Sequence, residues 1–416
     1  MPDLRHSLVP VLFLLTAGCT VGEEGVDADS EADSDDADQL DTVDELLAQT
    51  APAQDVTADR DEDGIPDATE EVLLRRYRPF FKFSQSDGND ESFRPANPVA
   101  EIADAQLKIM DPDGGTSDAL ACGRPSDHHL EPAESLYTCR RDTSFVVSGA
   151  KTDYCLNIGN TRYHGVSLAD ARVNATGLYG HVAQTTLNGH SAYKIEYWQF
   201  FAFNNQDIKI FGLGSMGDHE GDWTSVQVWF DRELKRLAKV RYLIHGKQAE
   251  FTIPALVPTC RSCTISVQGP SFNPNPPNFF ADTSAYSDNQ AEFFIDDRRF
   301  KHVVVYIERG GHETWPGPWG FAQKSSGPFT FNLNPHNGDG PSYLVPDVKD
   351  RLFNMGEVDH PLTRDGQLIL QFDGHWGCTN TKELSIVGPR RRSPVGPALH
   401  CSWKWPDHGP VAGCEH

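Results

Sequence analysis

Short runs of alternating apolar and polar residues, cut apart by Gly, Pro, Asn and Asp, recur from Arg78 to the end of this chain. Examples are YKIEYWQFFAFN (193–204), TSVQVWFD (224–231), AKVRYLIHG (238–246), KHVVVYIERGG (301–311) and QLILQFDGHWG (367–377). A period of two sends successive side chains to opposite faces of a strand, so each run can cover one side of a sheet. Helical periodicity is scarce after residue 80. Many such runs with turn residues between them predict a mainly β chain, an antiparallel β-sandwich-like domain with long loops over 79–416. With 38% hydrophobic residues in 416, the chain can build a sizeable core. NPNPPNFFAD (273–282) reads as one of the surface loops. GLGSMG (212–217) matches a dinucleotide-binding pattern but leads into a strand, so no helix terminus is available for a pyrophosphate. GxSxG and HExxH are both absent from the sequence, which leaves serine hydrolase and zincin chemistry without a foothold.

The amino end, MPDLRHSLVPVLFLLTAGC, has a weakly basic start, a short apolar run and small residues before Cys19. That run is too short to span a bilayer and reads as a signal peptide, residues 1–18. LTAGC resembles the bacterial lipobox, in which the cysteine becomes the acylated first residue. The expectation is a lipoprotein held to the bilayer through Cys19, at the outer membrane or cell surface of a bacterial envelope, or otherwise secreted. Removing Cys19 from the nine cysteines leaves eight, an even number suited to disulfides in an exported protein whose pairing the sequence does not choose. Cys260 and Cys263 form a lone CxxC, read as structural.

The formal charge of −24 is unevenly placed. Through Glu71 there are 21 acidic and 2 basic residues, leaving 39 against 34 for the rest. The body is therefore nearly balanced, and nucleic acid is not an expected partner. Residues 19–57 read as a disordered, self-repelling acidic tether.

DRDEDGIPDATE follows the tether, within a loop-and-helix unit at 58–78. Counted from Asp59, carboxylates stand at positions 1, 3, 5, 9 and 12: Asp59, Asp61, Asp63, Asp67 and Glu70. Gly64 stands at 6, where a sharp turn is needed, and Ile65 at 7, where the backbone carbonyl can ligate. This is EF-hand-type spacing, and hard oxygen donors in this order predict calcium. TEEVLLRRY then continues as an amphipathic helix. A single loop is expected to stiffen the junction between tether and body.

GDHEGDW (217–223) concentrates charge between strand-like runs. A regular strand would put Asp218, Glu220 and Asp222 on one face and His219 and Trp223 on the other; a bulge at Gly221 would instead bring His219 and Asp222 together. Four histidines adjoin glycine turns: His219, His245, His312 and His375.

YRPFFKFS…ESFRPANPV (77–99), YWQFFAFN, GDHEGDW with VQVWFD, HVVVYIERGGHETWP (302–316) and FDGHWG (372–377) follow one another in an order that resembles the vacuolar protein sorting-associated protein 62 family over residues 77–405. HEGDW is also distantly similar to the core of necrosis- and ethylene-inducing toxins. The resemblance implies a β-sandwich-like domain and no definite activity. Thr224 stands where relatives often carry Glu after HEGDW. His219, Asp222 and His312 are the first choices for a functional site because their motifs carry the resemblance, with Glu220 and Glu313 next. They would bind a second divalent cation or a polar ligand. The favoured reading is a surface-anchored binding or membrane-active module for a carbohydrate, lipid head group or protein. The competing one is a metal-dependent hydrolase with Asp222 or Glu220 as general base. A purely structural cluster, histidine bonding carboxylate at a turn, uses the same residues.

Overall fold

The structure, a computed structural model, describes residues 57–83, 85–86, 89–90, 95–99, 105–110, 116–122, 154–157, 177–204, 208–210, 214–216, 219–244, 247–253, 263–268, 290–296, 300–308, 310–317, 324–326, 329–331, 342–344, 351–372, 374–377, 395–400 and 403. The signal peptide with Cys19, nearly all of the tether, the CxxC spacing and the 273–282 loop lie outside the described residues. Among the described residues no helix is long and apolar enough to cross a membrane.

Helix α1 (Asp67–Tyr77) leads to strand β1 (Phe80–Phe83). The longest strands follow as a meander: β2 (Leu178–Leu187), β3 (His190–Asn204), β4 (His219–Asp231), β5 (Arg236–Ile244) and β6 (Lys247–Thr252). After them come β7 (Cys263–Gln268), β8 (Gln290–Asp296), β9 (Phe300–Ile307), the short β10 (Thr314–Trp315), β11 (Ser342–Leu344), β12 (Leu352–Asn354) and helix α2 (Arg364–Gln371). One six-stranded sheet runs β6-β5-β4-β3-β2-β12; a second runs β7-β8-β9-β1-β11, with β10 on β9.

The inner faces of both sheets meet in one core. Val182, Ile195, Val226 and Val240 from the first pack with Phe81, Phe293, Val303 and Val305 from the second. Tyr193, Ile195 and Tyr197 on β3 and Val226, Val228 and Phe230 on β4 face this core in alternation, and a one-residue slip would swing Lys194, Glu196 and Gln227 into it in their place. The mainly β, two-sheet expectation holds. Two pairs within it are parallel: β1 runs parallel to β9, and β12 parallel to β2. Both parallel strands arrive from distant parts of the sequence, where a hairpin cannot dictate direction.

QLILQFDGHWG also departs from its strand reading, because α2 takes Arg364–Gln371. Thr363 caps it, its Oγ1 accepting from the Gly366 N–H at 2.9 Å, the usual solution for an orphan first-turn donor. Leu368, Ile369 and Leu370 are buried with Tyr179, Trp198, Phe200, Trp223 and Trp376 in a second core on the outer face of the first sheet.

Helix α1 belongs to the main core. Leu73, Leu74 and Tyr77 are buried there, and so is Ile65 from the preceding loop. Tyr197 Oη donates to the Leu74 carbonyl at 2.9 Å. Gly180 on β2 admits the helix, since a Cβ there would stand 2.3 Å from Leu74 Cδ2.

Candidate functional site

The Asp59–Glu70 segment forms a tight acidic loop. Glu62 and Gly64 both take positive φ, 62° and 86°, the left-handed turn for which glycine at the sixth position is suited. The carboxylates order the loop through its own backbone: Gly64 N–H donates to Asp59 Oδ2 at 3.0 Å and Ile65 N–H to Asp63 Oδ1 at 2.6 Å. Asp67 receives the Arg60 N–H at 2.9 Å and pairs with its guanidinium.

Ligand-type oxygens converge here in two overlapping groups, Asp59–Asp61–Asp67 and Asp61–Asp63–Glu70, each within 4.8 Å. Asp61 is 2% exposed and Glu70 wholly buried. Asp59 Oδ1, Asp61 Oδ1 and Glu70 Oε1 are buried without a hydrogen-bond partner. Glu70 Oε2 accepts from Asn354 Nδ2 at 3.0 Å, which ties the loop to β12. Burial, and then the neighbouring carboxylates, push Glu70 to about 10 and Asp61 to about 7. Burial pushes Asp63 to about 6, against the opposing hydrogen bond from Ile65. Buried anions crowded together and short of donors are costly unless a cation neutralises them. The donor set is all oxygen, which suits Ca²⁺. All five loop carboxylates named from the spacing lie in the two groups.

Of the HEGDW residues, the structure brings Asp222 and His312 together. His312 Nδ1 lies 3.2 Å from Asp222 Oδ2, which also accepts from Asn204 Nδ2 at 3.0 Å. Asn204 Nδ2 reaches the Gly311 carbonyl as well, at 3.2 Å. The His312 ring is fully buried and stacked on Phe201, centroids 3.9 Å apart and planes at 8°. Gly310 and His312 have φ of 74° and 56°, so the ERGGHETW turn aims the ring inward as its glycines suggested.

His219 does not join them. Its Nδ1 hydrogen-bonds the Gly221 carbonyl of its own strand at 2.9 Å. The expected three-residue convergence is therefore corrected to an Asp222–His312 pair braced by Asn204. Among the described residues, three ligand atoms close enough for a metal occur only in the acidic loop. Glu220 is buried, and Glu313 serves through its carbonyl, which accepts from the Glu308 N–H at 2.9 Å. His375 is buried in a bridge between Cys155 and Val395, and His245 and Asp218 lie outside the described residues. The pair is built as a strut: Asp222→Ala should lower stability by roughly 1–3 kcal/mol, since it removes the carboxylate that both buried His312 and Asn204 meet, while Asp222→Asn should lose less. Urea unfolding of the two variants checks this.

Gly221 produces no bulge. Pairing keeps one register on both sides of it, Glu220 opposite Phe203 and Asp222 opposite Phe201, while Gly221 itself takes φ 61°. A Cβ there would lie 1.9 Å from the Trp376 carbonyl oxygen. The glycine exists so that the 376–377 backbone can lie against the strand. Gly221→Ala should cost about 3 kcal/mol, from left-handed strain and a backbone clash together, read as a lower thermal midpoint.

A polar row on the outer face of the first sheet was not anticipated. His181, Glu196, Gln227, Arg241 and Glu250 stand directly opposite one another across β2, β3, β4, β5 and β6. His181 Nδ1 meets Glu196 Oε2 at 3.0 Å, Gln227 Nε2 donates to Glu196 Oε1 at 2.5 Å, Arg241 Nη1 donates to Gln227 Oε1 at 3.2 Å and Arg241 Nε to Glu250 Oε1 at 2.6 Å. Lys194 reaches Glu196 at 3.2 Å, and Glu357 meets His181 Nε2 at 2.8 Å. Trp403 stacks on the His181 ring at 3.8 Å. Burial alone would lower the His181 pKa, but the two carboxylates outweigh it and hold it above the ordinary value. Burial would likewise raise Glu196, but the Lys194 charge, then His181, keeps it low. Lys194 and Glu196 alternate with Tyr193, Ile195 and Tyr197 in the sequence, which marks one strand of the row and not the row itself.

No family model matches the chain, and no curated protein does. Among solved structures it is similar to NLPPya in complex with glucosamine, at 13% identity and a TM-score of 0.24 over 72% of this chain and 79% of that one. Necrosis and Ethylene inducing Protein 2, from the causal agent of cocoa's Witches Broom disease, matches at 12% identity and a TM-score of 0.19 over 44% of this chain and 54% of that one.

Proposed function

We propose that the chain is an exported, surface-anchored binding module whose β domain is held together by one Ca²⁺ in the 59–70 loop. The observation that carries this reading is the set of buried, unpartnered carboxylate oxygens of Asp59, Asp61 and Glu70. Asp59, Asp61, Asp63, Asp67 and Glu70, with the Ile65 carbonyl, would hold the ion, which supplies charge neutralisation and a rigid loop. The LTAGC sequence and acidic tether support anchoring through Cys19 in a bacterial envelope. The balanced charge of the body, 39 acidic to 34 basic residues after Glu71, leaves it suited to neutral or locally matched partners such as a carbohydrate, a lipid head group or a protein.

Calorimetric titration of the metal-stripped protein with CaCl₂ should show one saturable site, abolished in Asp63→Ala; no heat, or heat unchanged by that substitution, defeats the calcium reading. The anchor is checked separately by fractionation. Intact Cys19→Ser protein should leave the membrane fraction, and unchanged partitioning sinks the lipid claim.

A further inference from the structure

Between the acidic loop, α1, β12 and the start of α2 lies a cavity of about 320 Å³, at the small end of volumes that hold a ligand. Its walls divide by chemistry. Leu74, Leu352, Leu362 and Phe353 supply apolar surface, and Phe353 is fixed in place by stacking on Tyr179 at 5.4 Å and 16°. Four charged side chains share the lining, Arg60 and Arg75 with Glu71 and Asp365. Two of either sign leave the cavity without net charge: an anion would meet Glu71 and Asp365, and a cation would meet both guanidiniums.

Arg60 pairs with Asp67, and Arg75 lies 3.5 Å from Glu71, both of those side chains being about a third exposed to solvent. Guanidinium forks offer several donors, and carboxylates offer paired acceptors. Such groups around an apolar floor match a molecule with hydroxyls on its edge and C–H bonds on its face. The C–H face of a pyranose is complementary to the electron-rich face of an aromatic ring. We infer that this cavity is a binding site for a neutral saccharide of one or two rings. The inference rests on the binding-module reading and gives it a place and a ligand class.

The site is joined to the metal loop. Asn354 lines the cavity and donates to Glu70 Oε2, and Arg60 sits inside the loop between two carboxylates. Ordering of the loop by calcium therefore also orders one wall of the cavity.

The test is saturation-transfer NMR on the full chain carrying Cys19→Ser, with cellobiose, chitobiose and lactose as probes, in calcium, followed by titration of whichever transfers. At least one should bind. Its affinity should fall about tenfold in Arg75→Ala, the loss of one charge-assisted hydrogen bond, and fall again in Asp365→Asn. Both side chains are partly exposed, and circular dichroism confirms that the variants fold. Absence of transfer from all three sugars overturns the proposal, as does binding that both variants leave unchanged. Calcium titration of the same sample is read independently, so a sugar-negative, calcium-positive result removes the saccharide site while leaving the module's metal intact.

Discussion

With calcium in the 59–70 loop as proposed, stripping it with EDTA should lower the melting temperature of the whole β domain by roughly 10 °C and do more than loosen its amino-terminal edge. A ligand at a thousand times its Kd stabilises the folded state by about 4 kcal/mol, and in domains of a few hundred residues each kcal/mol shifts the midpoint by roughly 2–4 °C. The effect is global because Ile65, Leu73 and Leu74 lie in the same core as the strands. It also carries a pH signature. In the metal-free protein Asp63 and Asp61 titrate at about 6 and about 7, above their ordinary 3.8, so their folded forms favour protonation. That contribution is fully present below the unfolded value near 4 and is lost as pH rises through 6 to 7. The EDTA form should therefore lose midpoint temperature between pH 5 and pH 8, and saturating calcium should abolish that fall. Differential scanning calorimetry at the two pH values, with and without calcium, gives the answer; an EDTA midpoint equal to the calcium midpoint at pH 8 refutes it.

Glu196→Ala carries the other large effect, about 3–5 kcal/mol. Removing it leaves His181, Lys194 and Gln227 facing a buried gap, and breaking one partner of a buried charge network costs far more than the network itself is worth. With His181 protonated, the four groups His181, Lys194, Glu196 and Glu357 sum to zero charge, so the intact cluster is balanced. Because the folded pKa of His181 is raised, its stabilisation is complete below the unfolded value of about 6.5 and is lost as pH climbs past the higher folded one. The urea midpoint of the calcium-loaded protein should decline above pH 6.5. Glu196→Gln, which keeps the shape and one acceptor, should flatten that decline; a slope unaltered by it assigns the titration elsewhere.

The parts of this molecule that are local in sequence were legible there. The acidic loop could be read because twelve consecutive residues carry all its carboxylates, and the strands of the first sheet because apolar residues recur at alternate positions along most of each. The Asp222–His312 contact was half legible: glycines marked both turns, but the direction of the His219 ring depends on its own strand's carbonyl, which spacing does not encode. QLILQFDGHWG misled because three apolar residues in a row suit a strand or a buried helix equally; Thr363, three residues before Gly366, was the deciding cap. The transverse row was hidden for a different reason. Each member is an ordinary polar residue in a strand, and only the pairing register of five strands places His181, Glu196, Gln227, Arg241 and Glu250 in line. The direction of β1 and β12 was equally beyond reach, since no short turn joins either to its parallel neighbour.

Any pull on the chain from its amino-terminal side enters the described structure at residue 57 and meets the acidic loop before a strand. Ile65 and α1 are seated in the main core, and Glu70 is fastened to Asn354 on β12. Tension is thus shared between the loop side chains and a buried helix, and is spread sideways into the sheet through β12 and β2. A sheet loaded at the end of one edge strand would unzip a hydrogen bond at a time. Here the first element to yield would be the acidic loop, so if it takes the proposed Ca²⁺, the force this domain withstands should rise and fall with calcium in its surroundings.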